Sequence, residues 1–146
     1  MKKILFVCAG NTCRSPMAEV ILKAKLKIAD VKKIKVSSAG LNAIDGNKMS
    51  KNSIDALKLL GYKPVGFKSR MATGDLLIKS DLIICMTQEQ KSLISNFPGV
   101  NTINEITGIG EIGDPYGMDL NAYIRVSHQI EDACNIILEK LLEEKI

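Results

Sequence analysis

The chain has 146 residues, of which 46% are hydrophobic and 25% charged, so residues 1–146 suffice for a single globular domain with its own core. The formal net charge is +4, and the lysines are dispersed along the sequence rather than grouped with aromatic residues, which argues against a nucleic-acid partner and favours anionic substrates. No stretch is long and apolar enough to span a membrane, and the apolar run 4–7 is too short for a signal peptide, so we expect a cytoplasmic protein.

The opening residues predict a strand, a loop and a helix. Residues 3–7 form a short apolar run that is typical of a buried strand. Ser15 and Pro16 then predict the N-cap and the first position of a helix. Its apolar residues recur at helical spacing: Met17, Val20, Ile21, Ala24 and Ile28.

The middle of the chain repeats this alternation. Residues 33–40 predict a second strand, which a loop and a helix over about 50–60 follow. Residues 81–86 form a continuous apolar run of strand length. Thr87 and Gln90 come directly after it at the spacing of a capping box, which predicts a third strand that leads into a helix.

The last third of the chain predicts a weaker strand over 100–106 and a long C-terminal helix. The apolar residues of that helix are Tyr123, Val126, Ile130, Ala133, Cys134, Ile137 and Leu141. Alternating strands and helices predict an α/β fold, in which helices cover both faces of a parallel sheet. Ligands of such sheets bind beyond the carboxyl ends of the strands, where the loop after the first strand lies.

That loop has the composition of a phosphate-binding site. Unpaired backbone N–H groups at the entry to a helix bind phosphate together with the helix dipole. We expect Gly10 to supply the unusual backbone dihedral angles of the loop, and Arg14 to hold two phosphate oxygens with its planar guanidinium. The other predicted phosphate-binding residues are Ala9, Asn11, Thr12, Cys13 and Ser15.

Cys8 stands at the start of this loop. Helix N-termini and nearby arginines favour the thiolate form of cysteine, so a bound phosphoryl group would meet a nucleophile and undergo covalent catalysis. We expect Ser15 to donate a hydrogen bond to the thiolate and Asn11 to brace the loop. The alternative is that Cys8 is a small buried residue at a strand end. The neighbouring Arg14, Ser15 and Gly10 favour catalysis.

The string "CAGNTCRSPMAE", residues 8–19, resembles the phosphate-binding loop of the low-molecular-weight protein tyrosine phosphatases. The segments "SSAG" at 37–40, "DLIICM" at 81–86 and "DPYG" at 114–117 match further family segments in the same order. The resemblance therefore covers nearly the whole chain. It implies a four-stranded parallel sheet with helices on both sides.

The resemblance also implies roles for three side chains: Cys8 as nucleophile, Arg14 as ligand of the phosphate and transition state, and Asp114 as general acid. Pro115 restricts Asp114 to extended conformations, so a stiff turn presents the carboxyl group. Tyr116 is expected to form one wall of the substrate slot. By composition alone this segment is an ordinary turn, in which Asp114 would be a turn or capping residue.

The remaining cysteines and the single histidine have less specific surroundings. Cys13 is either a packing residue of the loop or, as the resemblance implies, the partner of Cys8 in a protective disulfide under oxidation. Cys85 and Cys134 fall on apolar faces and are expected in the core. His128 is expected at the surface.

Three other functions share part of this residue pattern. An arsenate reductase of this fold would need a pair of relay cysteines after the third strand, where Cys85 has no such partner. Two cysteines that precede an arginine, without histidines, make a poor zinc site, so we expect no metal and no other cofactor. A non-catalytic phosphate-binding domain stays open, since a fold does not fix a function.

Thr12 bears on which phosphoryl group is removed. In the family, this position is commonly isoleucine in tyrosine phosphatases and threonine in bacterial protein-arginine phosphatases. We therefore favour phosphoarginine over phosphotyrosine as the substrate. In both cases the partners are phosphorylated proteins and the product is inorganic phosphate.

Overall fold

A computed structural model describes all residues of the chain, 1–146. It contains four parallel strands and six helices. The strands are β1 (Lys2–Cys8), β2 (Ile34–Gly40), β3 (Leu82–Cys85) and β4 (Val100–Thr102). The helices are α1 (Arg14–Ile28), α2 (Lys51–Leu59), α3 (Gly74–Ile78), α4 (Gln88–Leu93), α5 (Ile103–Thr107) and α6 (Leu120–Leu142). The strand order β2-β1-β3-β4 puts the first strand inside the sheet.

The central strand β1 is buried on both faces, which explains its unbroken apolar sequence. Phe6 and Cys8 face a core that α1, α5 and α6 cover, whereas Leu5 and Val7 face a smaller core under α3 and α4. The register pairs Cys8 with Gly40 of β2, so these two strands end side by side at one edge of the sheet. The predicted α/β fold, a four-stranded parallel sheet with helices on both faces, is confirmed.

The first helix begins two residues earlier than predicted, at Arg14 rather than Pro16. Its N-cap is Cys13, whose side chain makes no capping hydrogen bond, so the prediction of Ser15 as N-cap is wrong. The Ser15 hydroxyl instead bonds to Cys8 and Asn11. Ile28, predicted on the apolar face, is 86% exposed at the end of the helix.

Two short helices depart from the predicted pattern. Only 100–102 of the predicted strand 100–106 is extended, because Thr102 and Glu105 form a capping box that starts α5. The helix α3, which Thr73 caps, was not predicted. The capping box of Thr87 and Gln90 at the start of α4 is confirmed.

The long helix α6 packs most of its predicted apolar face into the larger core, beside α1 and α2. Cys85 of β3 and Cys134 of α6 are fully buried, as predicted, and this burial raises the pKa of each thiol to about 12. His128 is exposed on the opposite face of α6, as predicted. None of the helices has the length and apolar character that a membrane crossing needs.

Candidate active site

The loop of residues 9–13 is fastened to the end of β2. The backbone N–H of Asn42 donates to the carbonyl of Ala9 at 2.9 Å. A Cβ atom at Gly40 would lie 2.5 Å from the Ala9 carbonyl oxygen and 2.9 Å from the Asn11 nitrogen. The loop therefore rests directly on the backbone of Gly40, an approach that only glycine permits.

Asn11 gives the loop its unusual backbone shape. Its φ is 55°, in the left-handed region that asparagine tolerates better than most residues, whereas Gly10 has no positive φ. The expectation that Gly10 supplies this conformation is therefore wrong. The buried Asn11 side chain accepts a hydrogen bond from the Arg70 backbone (2.9 Å) and donates to the hydroxyls of Ser15 (2.9 Å) and Ser38 (3.0 Å).

Cys8 ends β1 and is 2% exposed, with its Sγ 2.8 Å from the Oγ of Ser15. Because the Ser15 oxygen already accepts a hydrogen bond from Asn11, its own proton is free to point at the sulfur. This geometry suits a thiolate, which needs a donor and cannot donate. Both contacts expected from the sequence, Ser15 to Cys8 and Asn11 to the loop, are present.

The backbone N–H groups of the loop that follows Cys8 are unpaired. None of the N–H groups of residues 10–15 donates to another atom of the protein. The 15-residue helix α1 begins within this segment, so its dipole adds to the positive potential. The loop borders a cavity of about 330 Å³, lined by Cys8, Ala9, Gly10, Thr12, Cys13, Arg14, Asn42, Asp114 and Tyr116. Unpaired N–H groups, a helix dipole and a buried arginine at one cavity are features that suit the binding of an anion.

Arg14 and Asp114 meet beside the loop. Nη1 of the buried Arg14 donates to the Ile112 carbonyl at 2.8 Å, and Nη2 lies 3.6 Å from Oδ2 of Asp114. The other carboxylate oxygen of Asp114 accepts the backbone N–H of Tyr116 at 3.1 Å. Tyr116 itself is 78% exposed at the cavity. The arrangement puts a carboxyl group next to the guanidinium of the anion site.

Cys13 contacts other residues than Ser15 does. Its sulfur is 3.5 Å from the hydroxyl of Ser50 and 3.6 Å from that of Tyr123. Burial, followed by the contact with Cys13, raises the pKa of Tyr123 to about 12. Cys8 and Cys13 are both free thiols, so their disulfide under oxidation stays a prediction.

Thr12 combines a fixed backbone with a free side chain. Its carbonyl accepts the backbone N–H of Ser50 at 2.9 Å, which ties the loop to the start of α2. Its hydroxyl has only a long contact of 3.8 Å, with the Cys13 sulfur. The hydroxyl is therefore available to a ligand in the cavity that Thr12 lines.

The structure brings the predicted residues together with one addition. Eight of the ten predicted site residues line the cavity, whereas Asn11 and Ser15 lie behind the loop and hold it. Asn42 also lines the cavity and was not predicted. Its signal in the sequence was its place just after the predicted second strand, at the ligand-binding edge of the sheet.

A family model, described as low molecular weight phosphotyrosine protein phosphatase, matches residues 3–146. The chain belongs to this family. This phosphatase is 36% identical over 135 residues to the protein-tyrosine-phosphatase PtpB of Staphylococcus epidermidis, covering 89% of the chain and 92% of the relative. It is 30% identical over 149 residues to a protein-arginine-phosphatase of Bacillus subtilis, covering 97% and 98%.

The similar solved structures also include both arginine phosphatases and tyrosine phosphatases. The YwlE arginine phosphatase from Geobacillus stearothermophilus superposes on this phosphatase with a TM-score of 0.90 at 30% identity, covering 99% of this chain and 96% of that one. A low molecular weight phosphotyrosine phosphatase from Vibrio cholerae gives 0.91 at 27% identity and covers both chains fully. The protein is thus a cysteine-based protein phosphatase, a hydrolase, with relatives named for both substrates.

Proposed function

We propose that this phosphatase hydrolyses phosphoarginine in proteins through a cysteinyl-phosphate intermediate. Cys8 is the nucleophile, Arg14 and the loop N–H groups hold the phosphoryl group, and Asp114 is the general acid. The observation that carries the choice of substrate is the free hydroxyl of Thr12 at the cavity. Phosphotyrosine, removed by the same mechanism, is the alternative.

The first step transfers the phosphoryl group to sulfur. The Cys8 thiolate attacks phosphorus as the bond from phosphorus to the guanidine nitrogen breaks, and the bonding electron pair stays on that nitrogen. Asp114 supplies a proton to the nitrogen, because a guanidine with a pKa above about 12 leaves poorly as an anion. The contact between Asp114 and Arg14 supports this role, since it holds the carboxyl group beside the side chain that binds the phosphoryl group.

The second step regenerates the enzyme. Asp114, now a carboxylate, takes a proton from a water molecule as its oxygen attacks phosphorus, and the bond from sulfur to phosphorus breaks. The Ser15 hydroxyl stabilises the departing thiolate, and inorganic phosphate leaves. The side chain of Asp114 is 51% exposed, so water reaches it directly.

The side chain of Thr12 favours a guanidine over a phenol. A phosphorylated guanidinium group is planar and rich in N–H donors, and the free Thr12 hydroxyl can accept from one of them. A phenyl ring has no such donor and prefers apolar contact at the same position. Because the Thr12 backbone is held by Ser50, the hydroxyl keeps its place in the cavity wall.

The test compares peptides that carry phosphoarginine or phosphotyrosine. The unmutated protein is expected to have the higher kcat/KM on phosphoarginine. Thr12→Ile keeps a β-branched side chain, and so the loop, but removes the acceptor. It should lower kcat/KM on phosphoarginine at least about tenfold. On phosphotyrosine it should raise kcat/KM, by at most about tenfold.

Thr12→Ser is the matched control, because it keeps the hydroxyl and loses only the methyl group. It should keep the preference for phosphoarginine. If the unmutated protein hydrolyses phosphotyrosine peptides much faster, the arginine proposal is wrong and the tyrosine alternative stands.

A further inference from the structure

A second and larger groove lies along the edge of the sheet, between α1, β2 and the segment 61–70. Its volume is about 790 Å³, against about 330 Å³ for the catalytic cavity, and the two have no lining residue in common. Volumes of roughly 300 to 1,000 Å³ are typical of small-molecule sites. We call this feature the edge groove.

The edge groove has a high net positive charge. Six cationic side chains line it with one carboxylate, Glu19, a formal charge of +5 against +4 for the entire chain. The cationic residues are Lys23, Lys27, Lys35, Lys63, Lys68 and Arg70. Only Lys23 among them pairs with an acidic side chain, so the other charges are not neutralised by the protein.

Glu19 connects this groove to the catalytic loop. One of its carboxylate oxygens accepts from Lys23 at 2.7 Å, and the other accepts from the Ser38 hydroxyl at 2.7 Å. The Ser38 oxygen in turn accepts from Asn11, whose amide group also binds Ser15 next to the nucleophile. An unbroken chain of hydrogen bonds therefore runs from the groove wall to the sulfur of the active site.

We propose that the edge groove binds a small ligand with several phosphate groups, and that this ligand lowers the activity of the catalytic loop through Glu19. Several lysines that converge on one cavity match several phosphates on one molecule. A ligand that draws Lys23 away leaves the Glu19 charge uncompensated. That negative potential opposes both the Cys8 thiolate and the bound phosphoryl group.

Binding is tested with inorganic tripolyphosphate, titrated calorimetrically into the whole protein at low ionic strength. Replacing three groove lysines by glutamine should weaken binding at least about tenfold, because three charges near the ligand are lost. The groove substitutions are Lys27→Gln, Lys63→Gln and Lys68→Gln. The matched control replaces three exposed lysines outside the groove, Lys3→Gln, Lys33→Gln and Lys58→Gln, and should bind like the unmutated protein.

Arg14→Ala separates the two anion sites in the same titration. Binding that survives this substitution belongs to the groove, as we expect. The binding half of the proposal is overturned if Arg14→Ala removes all binding, or if the groove and control variants bind equally. It is also overturned if a glutamate-rich peptide binds the groove and tripolyphosphate does not.

The effect on catalysis is read from kcat on a simple aryl phosphate at saturating concentration, where competition at the catalytic loop vanishes. The kinetic test rests on the proposed phosphatase mechanism but not on the preference for phosphoarginine. The calorimetric titration depends on neither the mechanism nor that preference. Tripolyphosphate should lower kcat of the unmutated protein severalfold and change that of Glu19→Gln much less. An unchanged kcat in the unmutated protein, with binding intact, would refute the coupling.

Discussion

Asp114 is held by two neighbours that fix the two oxygens of its carboxyl group separately. Tyr116 donates its backbone N–H to one oxygen at 3.1 Å, and the guanidinium of Arg14 lies 3.6 Å from the other. Half of the side chain is exposed, so the group can exchange protons with water between the two steps. Its position follows from the local sequence, because Pro115 stiffens the turn that presents it.

Asp114→Asn tests the general acid. Asparagine keeps an oxygen for the Tyr116 N–H but has no proton to give, so the turn should persist while leaving-group protonation is lost. We expect kcat/KM to fall roughly 100-fold or more on phosphoarginine and phosphotyrosine peptides. An aryl phosphate with a strongly acidic phenol should lose far less, because its leaving group departs without a proton. Steady-state kinetics on the three substrates measures the difference.

Cys8→Ser is the control for that series, since attack on phosphorus is common to all three substrates and each should lose turnover alike. Equal losses for all substrates in Asp114→Asn would make Asp114 a structural residue. The sequence could predict that Cys8, Arg14 and Asp114 lie together at one cavity, because each belongs to a segment that resembles the family. The positive φ of Asn11 could not be predicted, because glycine next to it offers the same freedom and only packing decides between them.

At the scale of helices and strands, the central sheet was predictable because β1 and β3 are buried on both faces and read as continuous apolar runs. The residues at which the helices begin were less predictable. Ser15 has the hydroxyl of an N-cap, but Cys8 and Asn11 use it. Thr102 and Glu105 have the spacing of a capping box, yet α5 is only 5 residues long and shows no helical period.

Gly40→Ala tests how the loop is seated on β2. Its new Cβ would meet the Ala9 carbonyl oxygen at 2.5 Å and the Asn11 nitrogen at 2.9 Å, so the backbone of the loop must move. We expect a loss of about 2 to 3 kcal/mol in the free energy of unfolding, together with a large loss of turnover. Urea denaturation and steady-state kinetics measure the two effects.

Gly10→Ala is the matched control within the same loop. A Cβ at Gly10 has only the Thr12 hydroxyl near it, at 3.7 Å, and the backbone there has no positive φ. Its free energy of unfolding should therefore stay within about 1 kcal/mol of the unmutated protein. Equal destabilisation by the two substitutions would show that the loop does not depend on close contact with Gly40.

At the scale of the whole molecule, the fold brings together lysines that lie far apart in the sequence. The lysines of the edge groove come from α1, β2 and the segment 61–70, so no window of the sequence shows them as a patch. These lysines lie close together because α1 packs against the edge strand β2. That packing cannot be derived from the composition of the chain. The expectation of attraction to anions followed from net charge alone, whereas the place of that charge required the structure.

Cys85 and Cys134 are buried on opposite faces of the sheet. Cys85 lies in the core under α3 and α4, and Cys134 lies in the core under α6. Burial raises the pKa of each from an ordinary value of 9.0 to about 12. Because a raised pKa keeps the thiol protonated in the folded state, its contribution to stability is complete below about pH 9 and is lost as pH rises through about 12.

Cys134→Ala tests this linkage under reducing conditions. At pH 10.5 the thiol of the unfolded chain is mostly ionised and that of the folded protein is not, which lowers the free energy of unfolding by about 2 kcal/mol relative to pH 7.5. The variant, which has no thiol there, should be less stable than the unmutated protein at pH 7.5 but should lose about 2 kcal/mol less on the shift to pH 10.5. Ile137→Val, a buried truncation on α6 without a titrating group, should lose as much as the unmutated protein. Urea denaturation at the two pH values checks this, and an identical pH dependence for Cys134→Ala and Ile137→Val would show that Cys134 ionises as readily in the folded protein as in the unfolded chain.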